Sequence, residues 1–115
     1  MRLISFQGTN MDLTDAIRAY VNEKLEAIDK LTQDFGTAAE LRIEVGKTTN
    51  HHAKGPHFRA EMQLSVPGEV LRAVEEAEDL YESIDKVKDQ LRRQLKNYKE
   101  RLIERSQHVV RPDKE

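Results

Sequence analysis

A two-layer α+β sandwich in the order β-α-β-β-β-α is the fold this sequence predicts, and three observations predict it. Residues 40–45 and 58–66 alternate apolar and polar side chains, the period of a half-buried strand. Residues 13–31 and 78–105 repeat apolar side chains at helical spacing instead. A Pro67-Gly68 pair ends the second alternating run and marks a tight turn into a further strand. A four-stranded sheet built this way takes both helices on one face and turns the other to water.

The elements follow in order. Residues 2–7 are short, apolar and β-branched at their centre, and Gly8-Thr9-Asn10 follows, so a strand and a turn are expected. In the first helix Leu13, Ile17, Tyr20, Val21, Leu25, Ile28 and Leu31 share a face. Thr14 or Asp12 is placed to cap it, because either side chain accepts from the orphan backbone N–H groups. Gln33-Asp34-Phe35-Gly36-Thr37 then breaks the pattern. In the next strand Leu41, Ile43 and Val45 oppose Glu40, Arg42 and Glu44. In the one after it, Phe58, Ala60, Met62, Leu64 and Val66 oppose Arg59, Glu61, Gln63 and Ser65. Both are expected to be antiparallel. A fourth strand begins at residues 69–73, and Val70/Val74 and Leu71/Ala73 both qualify as its inward face. The last helix carries a narrow seam of Leu80, Ile84, Val87, Leu91, Leu95, Tyr98 and Leu102. At 1.5 Å per residue it measures ~40 Å, against ~23 Å for a seven-residue strand, so its C-terminal half projects past the sheet.

Length fits one domain of 115 residues, with the ordered fold in 1–105 and a short mobile tail in 106–115. There is no cysteine, which excludes a disulfide framework, a thiol nucleophile and a Cys-ligated zinc. The first ten residues lack the apolar core and cleavage site of a signal peptide, and no run approaches the ~20 apolar residues of a membrane span. A cytoplasmic location is compatible with all of this.

Charge is distributed unevenly. Residues 86–105 carry eight Lys/Arg against three Asp/Glu, a balance of +5, whereas residues 1–85 carry nine against sixteen, a balance of −7. A basic helix on an acidic body points to an anionic partner, with nucleic acid the foremost candidate. Around Leu91, the residues Lys88, Arg92, Lys96 and Lys99 lie along one flank without an interleaved acid, and Lys86, Arg93 and Arg101 lie along the other. A solvated helix laced with pairs such as Asp89–Arg93 is the plainer reading. The surviving excess and the acidic remainder of the chain weigh against it.

Other constellations carry less. His51, His52 and His57 stand in the connection GKTTNHHAKGPH, which reads as a polar hairpin loop before a metal site, because no carboxylate or cysteine completes a ligand set. With Lys47 and Lys54 they form a second set of groups able to touch RNA. Glu75, Glu76, Glu78 and Asp79 sit at an expected strand-to-helix junction, where acids favour a helix N-terminus more simply than they perform acid–base work. No Gly-rich phosphate loop, GxSxG or HExxH is present, so neither an enzyme nor a cofactor nor a small-molecule substrate is expected.

Three stretches carry a family resemblance: GTNMDLTDAIRAYVNEKL, LRAVEEAEDLYESID and QLRRQLKNYK. Over nearly all of residues 2–102 the chain resembles the ribosome hibernation-promoting factor family, which includes ribosome-associated inhibitor A, also called protein Y. The resemblance implies a fold like a double-stranded-RNA-binding domain with an additional leading strand. It implies a non-enzymatic translation inhibitor that binds the small ribosomal subunit in the mRNA and tRNA decoding channel, contacts rRNA through both helices, and keeps ribosomes inactive under stress or in stationary phase. Lys24 stands where the family is basic, Arg18 lies in the matching AIR triplet, Arg93 matches the arginine of LERQL, and Lys96 and Lys99 match its RKYK run. Gln90 and Asn97 replace common lysines, and Arg92 replaces a common glutamate. The expected phosphate contacts are therefore Arg18, Lys24, Lys86, Lys88, Arg92, Arg93, Lys96 and Lys99. The resemblance is to the short forms, or to a long form cut at its linker. Some short members act with a separate ribosome modulation factor. Two alternatives remain open, a general double-stranded-RNA module and a protein-interaction module built on the long helix.

Overall fold

The computed structural model of the chain describes residues 1–48 and 57–110, with side chains as far as residue 105. The order is β1 (Arg2–Thr9), α1 (Asp15–Leu31), a 3₁₀ segment (Gln33–Ala38), β2 (Glu40–Lys47), β3 (Phe58–Val66), β4 (Glu69–Ala77) and α2 (Leu80–Val110). The four strands lie in sequence order in one sheet. β2, β3 and β4 form an antiparallel meander, and β1 pairs parallel to β2. The sheet is therefore mixed, as a strand–helix–strand connection through α1 requires.

Alternation fixes which face is inward. Leu41, Ile43, Val45, Ala60, Met62, Leu64, Val66, Leu71 and Ala73 are buried under the helices. Val70 is 57 % exposed, so the inward face of β4 is the one with Leu71 and Ala73. The seam predicted for α2 is buried from Leu80 to Tyr98, and Leu102 packs against its end. From α1, Ile17, Val21, Leu25 and Ile28 complete the core. α1 and α2 run in the same direction, since Tyr20 meets Tyr81 at the start of the pair and Leu31 meets Lys99 further along.

Local chemistry sets the ends of the elements. Thr14 caps α1, its hydroxyl accepting from Ile17 N–H at 3.2 Å. Gly36, at φ 56°, makes the reversal inside the 3₁₀ segment, a backbone that favours glycine. Gly68, at φ 81°, follows Pro67 in the turn between β3 and β4. The Tyr98 hydroxyl donates to the Pro67 carbonyl at 2.5 Å and ties that turn to α2.

Two boundaries differ from the sequence reading. β4 continues to Ala77, so Glu75 and Glu76 belong to the strand. Glu75 accepts from Gln90 across to α2, and it is Asp79 that serves the helix start, accepting from Glu82 N–H at 3.2 Å. The pairing of β4 with β3 runs through Phe58↔Ala77, and this long-range ladder carries the strand beyond its apolar residues. At the other end α2 continues to Val110, past the Arg105 at which apolar periodicity ends. Helical hydrogen bonds do not need a buried face, so periodicity underestimates a projecting helix.

Candidate nucleic-acid interface

The helical layer positions the basic residues, and the eight candidates divide into two sets. Arg92, Arg93 and Lys96 are exposed on α2, and none forms an ion pair with a described residue. All three lie away from the buried seam of Leu91 and Leu95; Arg92 and Lys96 share the flank on which Arg92 lines the groove to α1, and Arg93 lies on the other flank.

Most of the remaining candidates are engaged within the molecule. Lys24 lies 3.4 Å from Asp85 of α2 and 5.0 Å from the Tyr20 ring, with a side chain only 28 % exposed. Asp85 also accepts from the Tyr20 hydroxyl at 2.7 Å. Tyr20 in turn meets Tyr81 edge to face at 4.7 Å. The pKa of Lys24 is raised by its hydrogen bond to Asp85, and that of Tyr20 is raised by the same carboxylate. Lys99 donates to the Leu31 carbonyl at 2.8 Å, lies 3.4 Å from Asp34 and sits over the Phe35 ring. It thereby supplies a cation to the C-terminal end of α1, where orphan carbonyls and the helix dipole favour one. Lys86 pairs with Glu82 one turn back at 3.6 Å, and Lys88 with Asp89 at 2.6 Å. Arg18 lies over the Phe6 ring at 5.7 Å, on the other side of α1 from the groove. Arg101 is bound to Glu69 by both carboxylate oxygens, at 2.9 and 2.7 Å.

Across from Arg92 stands a residue that sequence reasoning passed over. Lys30, in the last turn of α1, is exposed and lines the same interhelical groove as Arg92. Its signal in the sequence is slight, since one lysine at a helix end has an ordinary role there. Only the parallel packing of α1 on α2 makes it part of a two-helix surface.

His51 and His52 lie outside the described residues, and His57 is exposed, its carbonyl accepting from Thr48 N–H at 2.9 Å. Among the described residues no group of three His, Cys, Asp or Glu is placed to hold a metal. No helix among them is long and apolar enough to cross a membrane.

The same chain is similar to proteins of known name. It is 36 % identical over 107 residues to a ribosome hibernation promotion factor of Deinococcus radiodurans, covering 93 % of this chain and 54 % of that one. It is 38 % identical over 109 residues to a protein of the same name from Picosynechococcus, covering 95 % and 54 %. The chain thus spans about half the length of these curated relatives. Among solved structures, the N-terminal domain of Thermus thermophilus Protein Y matches with a TM-score of 0.67 and 32 % identity, over 85 % of this chain and 99 % of that one. A ribosomal subunit interface protein from Coxiella burnetii shares the fold, with a TM-score of 0.71 at 21 % identity over 86 % and 98 %. Residues 4–103 match the model of the family described as Sigma 54 modulation protein / S30EA ribosomal protein, and the chain belongs to that family.

Proposed function

We propose that this chain is a ribosome hibernation factor, without catalytic activity, that binds the small ribosomal subunit in its mRNA and tRNA decoding channel and holds the ribosome inactive under stress or in stationary phase. The observation that carries the reading is the cluster of Arg92, Arg93 and Lys96, exposed and without an ion pair to any described residue, on a chain whose remainder is acidic. Such cations release counterions from RNA when they meet phosphates, which gives affinity without sequence selection. The relatives named as ribosome hibernation promotion factors, and the neighbour named as a ribosomal subunit interface protein, make the ribosome the partner of choice.

Within this reading, Arg92, Arg93 and Lys96 make the principal phosphate contacts, with Lys30 across the groove. Lys24 and Lys99 hold the two helices in the spacing that presents them. Lys86, Lys88 and Arg18 contribute at the margin, since each already has a partner. Binding across the decoding channel excludes mRNA and tRNA sterically, so inhibition needs no chemistry.

The test is co-sedimentation with purified ribosomes and isolated subunits at ~150 mM salt, with double-stranded RNA in excess as competitor. Retention on the small subunit is the expected result. Transfer to free duplex would replace the reading with a general double-stranded-RNA module, and pelleting that ignores salt would replace it with an apolar protein interface.

A further inference from the structure

The groove between α1 and α2 has a volume of about 380 Å³ and is lined by Glu23, Glu26, Ala27, Lys30, Leu31 and Arg92. All four charged residues in it are exposed, and none is ion-paired with a described residue, although two carboxylates and two cations share one small space. Just beyond its ends the charges are committed, Lys24 to Asp85 and Lys99 to Leu31 and Asp34. The groove is therefore flanked by committed charges, while its own four form no ion pair with a described residue, Glu23 acting on Lys24 only through its field.

A bare phosphate complements Arg92 and Lys30 but is repelled by Glu23 and Glu26. A ligand that uses all four must carry negative charge and, beside it, a hydrogen-bond donor edge. A nucleotide has both, together with a flat ring for the apolar floor of Ala27 and Leu31 and for the guanidinium plane of Arg92. Among the four bases guanine alone presents two adjacent donors, N1–H and the N2 amino group, which match the two oxygens of one carboxylate. Adenine and cytosine alternate a donor with an acceptor on that edge, and uracil sets its one N–H between two carbonyls.

We propose that this groove seats one unpaired guanosine of the RNA, its base edge on Glu23 or Glu26 and its phosphate between Arg92 and Lys30. The proposal rests on the RNA-binding reading above and deepens it, adding a base-selective contact to a surface otherwise selective for charge alone.

The sign of one double substitution separates the two kinds of contact. On a surface that binds phosphate only, E23Q/E26Q removes repulsion and strengthens binding to every RNA. On a guanosine seat it removes the charge and turns one of the two acceptor oxygens of each carboxylate into an amide donor, and so weakens binding to guanosine-containing RNA. Both glutamates are exposed and form no ion pair with a described residue, so the variant is expected to fold as the parent does, which a thermal melt checks. The probes are a fluorescent single-stranded RNA pentamer of uridines around a central guanosine and its central-adenosine counterpart. Binding is read by anisotropy at low salt, beside small-subunit pelleting of the same proteins. The expected result is about tenfold preference for the guanosine pentamer in the parent, abolished in E23Q/E26Q, with R92A weakening both pentamers. Equal binding of the two pentamers by the parent, or tighter binding of both by E23Q/E26Q, overturns the seat. Failure to bind either pentamer while subunit pelleting persists overturns the seat and spares the ribosome reading. Loss of both retires the two together.

Discussion

The open face of the sheet and the outer face of the helices are both rich in arginine, yet they are prepared for different things. On the sheet, Arg2 pairs with Glu40 at 3.3 Å, and Glu61 is held between Arg59 at 3.0 Å and Arg72 at 2.7 Å. Arg42 stands in a shallow hollow beside Glu44 and Glu61. Four arginines there face Glu40, Glu44, Glu61 and Glu76, so the face is electrically balanced. Its aromatic neighbours Phe6 and Phe58 pair in register with Ile43 and Ala77, inward-facing positions, so it offers no platform for stacked bases. On the helices, Arg92, Arg93 and Lys96 have no such partners among the described residues. Under the proposed reading, the guide to the RNA surface is not the count of basic residues but their placement together with their pairing, since Arg42 on the sheet is also exposed without an ion pair to a described residue.

That contrast is broken most directly by removing three cations from each face. R92A/R93A/K96A and R2A/R42A/R72A change the net charge equally. The helix triple is expected to lose on the order of 100-fold in small-subunit affinity at ~150 mM salt, with the salt slope reduced by about 0.9 for each phosphate no longer neutralised. The sheet triple should stay within about threefold, because its charges are on the face of the sheet turned away from the helices and exposed charges are screened over a Debye length of ~8 Å. Equal losses in the two would mean that total charge, not placement, governs binding. Circular dichroism melts of both variants check that neither has unfolded.

A smaller effect sharpens the division inside the helical layer. K99M keeps an aliphatic stem over Phe35 but gives up the bond to the Leu31 carbonyl and the pair with Asp34. About 1 kcal/mol of stability should go with it, the side chain being partly screened, which lowers the melting temperature by about 4 °C or somewhat more. Ribosome affinity should change less than in R92A. A K99M protein that melts normally and fails to pellet would move Lys99 from clamp to RNA ligand. Y20F, which keeps the edge-to-face ring pair with Tyr81 and loses only the hydroxyl bond to Asp85, should cost no more than about 1 kcal/mol and leave affinity unchanged.

The fold was largely legible in the sequence and the site only partly, for a physical reason. Alternation in residues 40–45 and 58–66 and the seam from Leu80 to Leu102 report burial, which every buried side chain repeats, so the signal accumulates. The inward face of β4 was ambiguous because valine and leucine occupy both faces; pairing with β3 decides it, setting Leu71 against Leu64 and Ala73 against Met62. Whether a lysine is free or committed depends on one acid brought from far along the chain. Asp85 is 61 positions from Lys24, and Asp34 is 65 positions from Lys99, so nothing local marks either as a clamp. The family resemblance points to a basic position at Lys24 without saying what its ammonium group does.

The smallest effect tests the sheet face by acid. Glu61 is held below the usual glutamate range, first by its hydrogen bond from Arg72 and further by Arg59, against an opposing contribution from burial. A carboxylate whose folded pKa is depressed adds stability above its unfolded value, ~4.3, and loses it as pH falls through the folded value. Parent protein should therefore show a fall in urea midpoint below about pH 4 that E61Q shows less of. Arg72 is more than half exposed, so the difference is small, and parallel acid limbs would mean that the three-residue pairing contributes nothing measurable. E61Q should also leave small-subunit affinity unchanged. It frees Arg59 and Arg72 from their acid without touching the helices, so an increase in affinity would show that a sheet-face arginine binds RNA once its partner is neutralised. That outcome would make the pairing itself, and not the position on the sheet, the feature that keeps this face away from RNA.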